Sequence, residues 1–96
     1  MGLRFVWDPR KAALNQRKHQ VSFLEALTVF ADPLALVFDD PAHSLGEQRQ
    51  LIIGHSSKPR LLLVVFTERD GETLRIISAR PATSRERHDY QENRAS

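Results

Sequence analysis

Residues 61–80, LLLVVFTERDGETLRIISAR, form two extended segments separated by a turn signal, and they decide the fold class. Leu61 to Phe66 is apolar at every position, which is typical of a strand covered on both faces. Asp70-Gly71 favours a hairpin because both residue types tolerate a positive φ. We therefore predict an α+β fold around an antiparallel sheet of about four strands, with the strand from Leu61 in the middle. The predicted strands are Leu34–Phe38, Gln50–Gly54, Leu61–Thr67 and Leu74–Ala79.

The first predicted helix carries a basic side. A short β-prone run, Phe5 to Trp7, stops at Asp8-Pro9, which is typical of a helix N-cap followed by proline in the first turn. The helix extends to about His19. Lys11 and Lys18 are seven positions apart, so they lie on the same side of it. This side is predicted to face away from the core.

A second helix and a C-terminal helix each begin at a capping box. Ser22 to Glu25 has the spacing at which both side chains satisfy backbone N–H groups, and the amphipathic helix continues to about Ala31. Thr83 to Glu86 has the same spacing and starts a polar helix that extends to about Asn93. Tyr90 is the one residue of that helix suited to burial. We therefore predict that the chain's own core does not hold this helix, which is mobile alone or docks on a partner.

Composition indicates one small domain, residues 1–96. Because cysteine is absent, disulfides and thiolate metal sites are excluded, and a cytoplasmic location is the simplest expectation. Apolar runs are too short to span a bilayer, so no membrane partner is expected. The net charge is +2, but seven of the eight basic residues after position 50 are arginine. Guanidinium groups match phosphate oxygens in pairs, which favours a polyanionic partner; a solvated surface with ordinary ion pairs is the alternative.

A set of stretches spread along the chain carries a family resemblance: Phe5–Ala12, Asn15, Lys18-His19, Val21–Ala26, Phe30, Asp32-Pro33, Gly46-Glu47, Arg49, Ile53-Gly54, Thr67–Arg69, Arg75–Arg80, Ala82, Glu86-Arg87 and Tyr90. Taken together, they resemble the BrnT family of ribonuclease toxins. They keep their order over nearly the whole chain, which makes the resemblance more specific than any single motif. Gln20 departs from the pattern, because family members often carry glycine after the lysine-histidine pair.

The resemblance implies a RelE-like fold and a metal-independent endoribonuclease of a bacterial type II toxin–antitoxin system. It also implies a cytoplasmic RNA substrate and a cognate, BrnA-like antitoxin with a ribbon-helix-helix DNA-binding part. The family suggests a two-to-two complex that represses its own operon. Operator DNA would then be contacted only through the antitoxin.

RNA cleavage without a metal ion needs an activated 2′-hydroxyl, stabilisation of the charge on phosphorus, and a proton for the leaving oxygen. Arginine suits the second task because its charge is permanent and its donors form a fixed fork. The candidate catalytic arginines are Arg49, Arg69 and Arg80, and Arg75 is a candidate substrate-binding residue. Arg69 and Arg80 lie at opposite ends of the predicted hairpin, so they need not form one cluster.

Proton transfer falls to a group other than arginine, or to water. Glu68 is a candidate catalytic base if it is partly desolvated; pairing with a neighbouring arginine is its alternative. Histidine is the side chain that ordinarily changes its charge near neutrality, so His19 and His55 are candidate substrate-binding residues. The alternative for His19 is capping of the helix, and the alternative for His55 is a plain loop position. Lys18 is a candidate phosphate contact, with a solvated side chain as the alternative.

No metal or other cofactor is expected. Asp39, Asp40 and His43 offer oxygen and imidazole donors, but Asp-Asp-Pro is ordinary turn chemistry. The sequence has no P-loop, Gly-x-Ser-x-Gly or His-Glu-x-x-His pattern. Two other functions stay open: a non-catalytic interaction module in complex with a DNA-binding partner, and a small DNA-binding domain, which lacks helix-turn-helix spacing.

Overall fold

The computed structural model describes residues 2–40 and 48–95. These residues form one sheet of five strands in the order β1-β5-β4-β3-β2, with three α-helices. β4 is central, as its apolar run predicts. The elements are β1 (Arg4–Val6), α1 (Pro9–His19), α2 (Phe23–Thr28), a 3₁₀ turn (Val29–Ala31), β2 (Leu36–Asp39), β3 (Gln50–His55), β4 (Leu61–Arg69), β5 (Thr73–Pro81) and α3 (Ser84–Ala95).

The α+β class is confirmed, but the prediction of a purely antiparallel, four-stranded sheet is wrong. β1 adds a fifth strand and runs parallel to β5, with Arg4 beside Thr73 and Val6 beside Arg75. Three residues are too few to show strand periodicity in the sequence. What holds them is the ladder itself and the Phe5 ring, which packs against Phe30 with 5.1 Å between ring centroids.

α1 and α2 cover one face of the sheet, called here the helix face. Their apolar residues join those of the middle strands in the larger core, where Phe30 meets Phe66 edge-on at 5.0 Å. Gly54 allows the 3₁₀ turn to approach β3, because a Cβ there would lie 3.0 Å from atoms of Val29, Asp32 and Ala35. The core is therefore built on a close contact that a larger residue at position 54 would obstruct.

α1 is also tied to the free edge of β5. The buried Asn15 amide donates to the carbonyl oxygen of Ala79 at 2.8 Å and accepts from the Ala79 N–H at 3.0 Å. Asn15 thus takes the place of a neighbouring strand at that point. α1 ends at Gln20, whose φ of 58° is left-handed, so glutamine adopts the conformation that glycine favours at this position.

α3 packs on the opposite face of the sheet, and the prediction that the chain's own core does not hold it is wrong. Tyr90 is 1% exposed and belongs to a second apolar cluster with Ile53, Leu61 and Leu63. An aromatic ring buries 150–250 Å² in general, so one side chain is enough to dock an otherwise polar helix. None of the helices in the described residues has the length and apolar character that crossing a membrane requires.

Candidate active site on the uncovered sheet face

Three predicted arginines lie on the face of the sheet opposite α1 and α2. Arg75 lies between Leu74 and Ile76, whose side chains are in the helix-face core, so alternation places it on the other side. Arg80 follows Ala79 of the same core. On β4, Arg69 comes four positions after Val65 and therefore lies on the same face, where Val65 packs against the second cluster. Strand alternation therefore brings all three arginines to one surface.

A β-bulge is responsible for the position of Arg80. Val65 pairs with Ser78 and Phe66 with Ile76, so Ile77 is an extra residue in β5. Arg75 and Arg80 are five positions apart, and an unbroken alternation would put them on opposite faces. The extra residue reverses that alternation and returns Arg80 to the same surface as Arg75.

The part of this surface that α3 leaves uncovered carries Arg4, Arg69 and Arg75 and is called here the arginine face. Thr73 pairs with Arg4 on one side and with Arg69 on the other. Arg75 is the next residue of β5 on this face, diagonal to Arg69, a relation that places Cβ atoms about 7 Å apart. Within the described residues, none of the three forms an ion pair. Cross-strand ion pairs that join Arg69 or Arg75 to Glu68 or Glu72, the alternative to a functional role, are therefore not present there.

Arg49 immediately precedes β3 and continues the alternation of Leu51 and Ile53, which pack in or against the second cluster. The buried Thr67 hydroxyl donates to the Gln48 carbonyl oxygen at 2.9 Å, which fixes the segment entering β3 beside β4. The backbone of Arg49 is paired as well, because its carbonyl oxygen accepts from the Asp40 N–H at 2.9 Å. Arg49 thus borders the arginine face at a well-anchored position.

Glu68 is separated from the arginines. It pairs with Leu74 in the ladder, and Leu74 points into the helix-face core. Glu68 is exposed and borders a small polar hollow of about 300 Å³ together with Gln50 and Asp70. The structure does not bring this carboxylate to the surface that carries Arg69 and Arg75.

Arg80 lies at the other end of the surface and is bound to α3. Its Nη1 and Nη2 atoms each donate to Glu86 at 2.8 Å, and Nη1 also donates to the Pro81 carbonyl oxygen at 3.2 Å. Glu86 closes the predicted capping box with Thr83. The Arg80 guanidinium beside Glu86 lowers the pKa of that carboxyl to about 2, and the pairing raises the pKa of Arg80.

This pairing occupies only part of the Arg80 guanidinium. Arginine has five N–H donors, and the contacts with Glu86 and Pro81 use three of them. The Nε edge has no hydrogen-bond partner among the residues described. That edge is a second two-donor fork, so Arg80 can stay paired with Glu86 and still donate to two oxygens of a phosphate.

His55 is the last residue of β3, not the loop histidine that its alternative interpretation assumed. Its Nδ1 atom lies 3.2 Å from the Tyr90 hydroxyl, and the rings meet edge-on at 5.3 Å. Tyr90 donates to Asp32 Oδ2 at 2.8 Å, and the backbone N–H of His55 donates to the same oxygen at 2.8 Å. We call Asp32, His55 and Tyr90 the tyrosine anchor.

The carboxylate of the tyrosine anchor stays ionised easily. Burial alone would raise the pKa of Asp32, but hydrogen bonds from the backbone of His55 and Leu34 and from the Tyr90 hydroxyl outweigh it, so the pKa is lowered. His55 pairs with Leu61 at the far end of the sheet from the hairpin, so it is remote from Arg69 and Arg75.

Lys18 and His19 lie in the last turn of α1, away from the sheet surface that bears the arginines. They border a groove between α1 and the outer edge of β5, where Ile77 and Ser78 form the opposite wall. The Gln20 N–H donates to the Gln16 carbonyl oxygen in the last turn of α1, and within the described residues the His19 ring makes no hydrogen bond to a carbonyl oxygen of that turn.

Comparison with known proteins identifies the chain. Residues 7–86 match the model of a family described as ribonuclease toxin, BrnT, of type II toxin–antitoxin systems. The chain belongs to the BrnT family. The matched residues include every predicted site residue, from Lys18 to Arg80.

A solved structure agrees with this BrnT assignment. The ribonuclease toxin BrnT of Brucella abortus, solved at 1.1 Å, superimposes with a TM-score of 0.67 at 26% identity, covering 85% of this chain and 99% of that one. A comparison with curated proteins finds no match.

Sequence reasoning missed one buried polar network of this BrnT family member. Glu25 is 4% exposed and accepts from Arg60 Nε and Nη2 at 2.7 Å each and from the Ser56 hydroxyl at 2.6 Å. These bonds, chiefly that with Arg60, lower the pKa of Glu25 despite its burial. The sequence predicts Glu25 only as part of a capping box. On a helical wheel it lies opposite Phe23 and Leu27, so the apolar pattern gives no signal that this carboxylate is buried and needs a partner.

The metal alternative names Asp39, Asp40 and His43 as donors. His43 lies outside the described residues, as do Gly46 and Glu47 of the resemblance. Across residues 2–40 and 48–95, no three histidine, aspartate or glutamate side chains come together in a way that would hold a metal ion.

Proposed function

We propose that this BrnT family member cleaves RNA on the arginine face without a metal ion. The observation that carries the proposal is the juxtaposition of Arg4, Arg69 and Arg75 on the part of this sheet face that α3 does not cover, with no ion pair to an acidic side chain within the described residues. A folded chain seldom keeps several like charges together unless a ligand balances them. A phosphodiester, with its paired oxygens, is the ligand that guanidinium forks match.

The chemistry assigned to these residues is electrostatic. The ribose 2′-oxygen attacks phosphorus, the bond to the 5′-oxygen breaks, and the products are a 2′,3′-cyclic phosphate and a 5′-hydroxyl. Arg69 and Arg75 stabilise the additional negative charge on phosphorus during this exchange. Removal of one such stabilising donor typically costs about 10²–10³ in rate.

Arg80 and Arg49 extend this surface in the proposal. Arg75 and Arg80 are four ladder positions apart on β4, which corresponds to about 13 Å along the strand. Arg80 therefore contacts the RNA at a different point from Arg69 and Arg75, through its Nε edge. Arg49 borders the same surface beside Thr67. These roles rest on position and on the chemistry of the guanidinium group.

Glu68 fits the role of general base poorly because it lies on the helix face. Glu86 is held ionised by Arg80 and is unsuited to donating a proton near neutrality. We therefore assign proton transfer on the arginine face to water, since arginine itself scarcely deprotonates.

We also propose that the chain acts in the cytoplasm with a ribbon-helix-helix antitoxin in a two-to-two complex, which would contact operator DNA through the antitoxin. Family membership supports an antitoxin partner. The edge strand β2 offers a surface for one, because Val37 is 52% and Phe38 41% exposed. The same exposed edge favours the second candidate function, an interaction module without catalysis.

The test is cleavage of a single-stranded RNA by the purified chain in buffer containing EDTA. Wild type should release fragments with cyclic phosphate ends, and Arg75→Ala should be slower by about 10²–10³. Arg87→Ala is the matched control, because Arg87 is exposed on α3 and has no ion pair within the described residues. RNA that stays intact with excess wild type would favour the interaction module. Equal rates for wild type and Arg75→Ala would move the active site elsewhere.

A further inference from the structure

We propose that the groove between α1 and the outer edge of β5, the α1 groove, binds the sugar–phosphate backbone of the RNA beyond the scissile linkage. This inference rests on the proposed function, because it extends the path of the same substrate. It adds a second binding surface, about 540 Å³ in volume, on a different side of the molecule from the arginine face.

The rim of the α1 groove is cationic. Four side chains of α1 contribute, namely Lys11, Arg17, Lys18 and His19, and α1 contains no acidic residue. None of the four forms an ion pair within the described residues. Lys11 and Lys18 are about 10 Å apart along the helix, at 1.5 Å per residue. The charge of this groove is therefore left for an external anion to balance.

The floor of the α1 groove is apolar. Leu14 is 56% exposed there, and Ile77, the extra residue of the β-bulge, lies across from it. No Phe, Tyr or Trp side chain belongs to the described lining, so stacking of bases there is limited to the His19 imidazole and the Arg17 guanidinium. Binding is thus expected to follow the backbone charge and to be insensitive to base sequence.

The edge of β5 beside the groove is closed to a further protein strand. A strand added there would need the N–H and carbonyl groups of Ala79, and the Asn15 amide already bonds to both. An extended peptide that pairs with the sheet edge is therefore a poor occupant. A polyanion, which needs only the side chains of the rim, does not meet this obstacle.

The α1 groove is continuous with the sheet surface that carries the arginines. Ser78 lines the groove and pairs with Val65, on the same face as Arg75 and Arg80. A strand lying on that face can cross the edge of β5 at Ser78 and enter the groove without meeting an acidic side chain of the groove lining. The geometry points to single-stranded RNA, because a duplex is too stiff for such a turn.

The test compares two triple variants of the full chain. The groove variant is Lys11→Gln, Arg17→Gln, Lys18→Gln, and the control is Lys58→Gln, Arg85→Gln, Arg87→Gln, whose original side chains are exposed elsewhere. Both variants remove three positive charges. Glutamine is a good helix former, so the groove variant should keep α1 folded.

The probe is a 20-nucleotide single-stranded RNA with 2′-O-methyl groups throughout, which cannot be cleaved because its internal nucleophile is blocked. Three lost phosphate contacts should reduce the slope of log affinity against log salt by about 2 and weaken binding about 10- to 100-fold near 0.1 M salt. The control should bind like wild type, apart from a small uniform loss. Equal slopes for the groove variant and the control would overturn the inference.

Cleavage assays separate this inference from the proposed function. The groove variant should show a raised KM for a cleavable 20-nucleotide RNA, and this KM should rise by a larger factor than its KM for a dinucleotide, which is too short to reach from the scissile linkage into the groove. If wild type cleaves neither substrate, the proposed function fails while the binding assay still tests the groove. If the groove variant binds RNA normally but no longer binds the antitoxin, the occupant is an acidic protein and the RNA assignment is wrong.

Discussion

Two ends of one sheet surface differ in how their charges are matched. Under α3, Arg80 meets Glu86, and the Asp32 carboxylate meets Tyr90 and His55. On the arginine face, Arg69 and Arg75 have no such acidic partner within the described residues. Matched polar groups near a core stabilise the fold, because leaving one without a partner costs free energy. Unmatched cations on an open surface contribute little to stability, so a ligand is the better explanation for them.

We call the end under α3, with Arg80, Glu86 and the tyrosine anchor, the matched end, and the arginine face the open end. Tyr90→Ala should have the largest effect, on the matched end. Removing this buried ring should lower the free energy of unfolding by about 3–5 kcal/mol, measured by urea denaturation. Tyr90→Phe keeps the ring and loses the hydrogen bonds to Asp32 and His55, so about 1–2 kcal/mol should be lost. If Tyr90→Ala unfolds like wild type, α3 is not held by its tyrosine.

Arg75→Ala should have the opposite profile, on the open end. Its cleavage rate should fall about 10²–10³, while its free energy of unfolding should change by less than about 0.5 kcal/mol. Single-turnover cleavage and urea denaturation of one preparation measure the two quantities. A destabilised Arg75→Ala protein would remove the distinction between the two ends.

Gly54→Ala should destabilise the packing of the 3₁₀ turn on β3 through crowding, on the helix face behind the matched end. The added methyl group would lie 3.0 Å from Val29, Asp32 and Ala35 atoms. Overpacking of this kind costs about 1–3 kcal/mol, which thermal unfolding would detect. Gly71→Ala serves as a contrasting variant, because crowding is absent there and only the positive φ of 76° opposes the change. A neutral Gly54→Ala would mean that the 3₁₀ turn can move away.

Acid should weaken the Arg80–Glu86 pair. The folded pKa of Glu86, about 2, is below its ordinary value of 4.5, so the ionised carboxylate stabilises the fold above pH 4.5. This contribution is lost as the pH falls from 4.5 towards 2. Allowing for solvent screening, it amounts to about 1–2 kcal/mol. Comparing the unfolding free energies of wild type and Glu86→Gln across this range isolates it; parallel pH profiles would contradict the assignment.

Gln20→Gly should give the smallest effect, and with the opposite sign. A non-glycine residue pays about 1 kcal/mol for the left-handed conformation that Gln20 adopts. Glycine should recover part of that strain and raise the melting temperature slightly. The carbonyl oxygen of residue 20 would still accept from Arg60 at 2.8 Å, because that bond uses the backbone. A lower melting temperature would show that the glutamine side chain stabilises the turn.

Local patterns predicted most of the fold. The Asp8 cap, the Ser22 N-cap, the Thr83 capping box and the Asp70-Gly71 hairpin are confirmed, since each depends on residues close in sequence. The other half of the Ser22 capping box is not formed, because the Glu25 carboxylate accepts from Arg60 and Ser56 instead. The parallel β1 and the docking of α3 depend on contacts between distant segments. Neither a three-residue strand nor a single tyrosine carries a periodic signal, so both were missed or misjudged.

The candidate site was predictable in its residue types and only partly in its geometry. Alternation along β4 already separates Glu68 from Thr67 and Arg69, and counting positions would have indicated it. The bulge at Ile77 has no comparable signal, because the run Arg75 to Ser78 fits a regular strand. The surface shared by Arg75 and Arg80 could therefore be known only from the structure.

The parallel pairing of β1 also has a consequence for the order of folding. Arg4 meets Thr73, which is 69 positions later in the chain, and Asn15 meets Ala79 across 64 positions. Such long loops are closed at an entropic cost, and pairings of this kind form slowly. During translation, the first strand and helix can dock only after residues 73–81 have left the ribosome, so the sheet of a nascent toxin remains incomplete until β5 has been made.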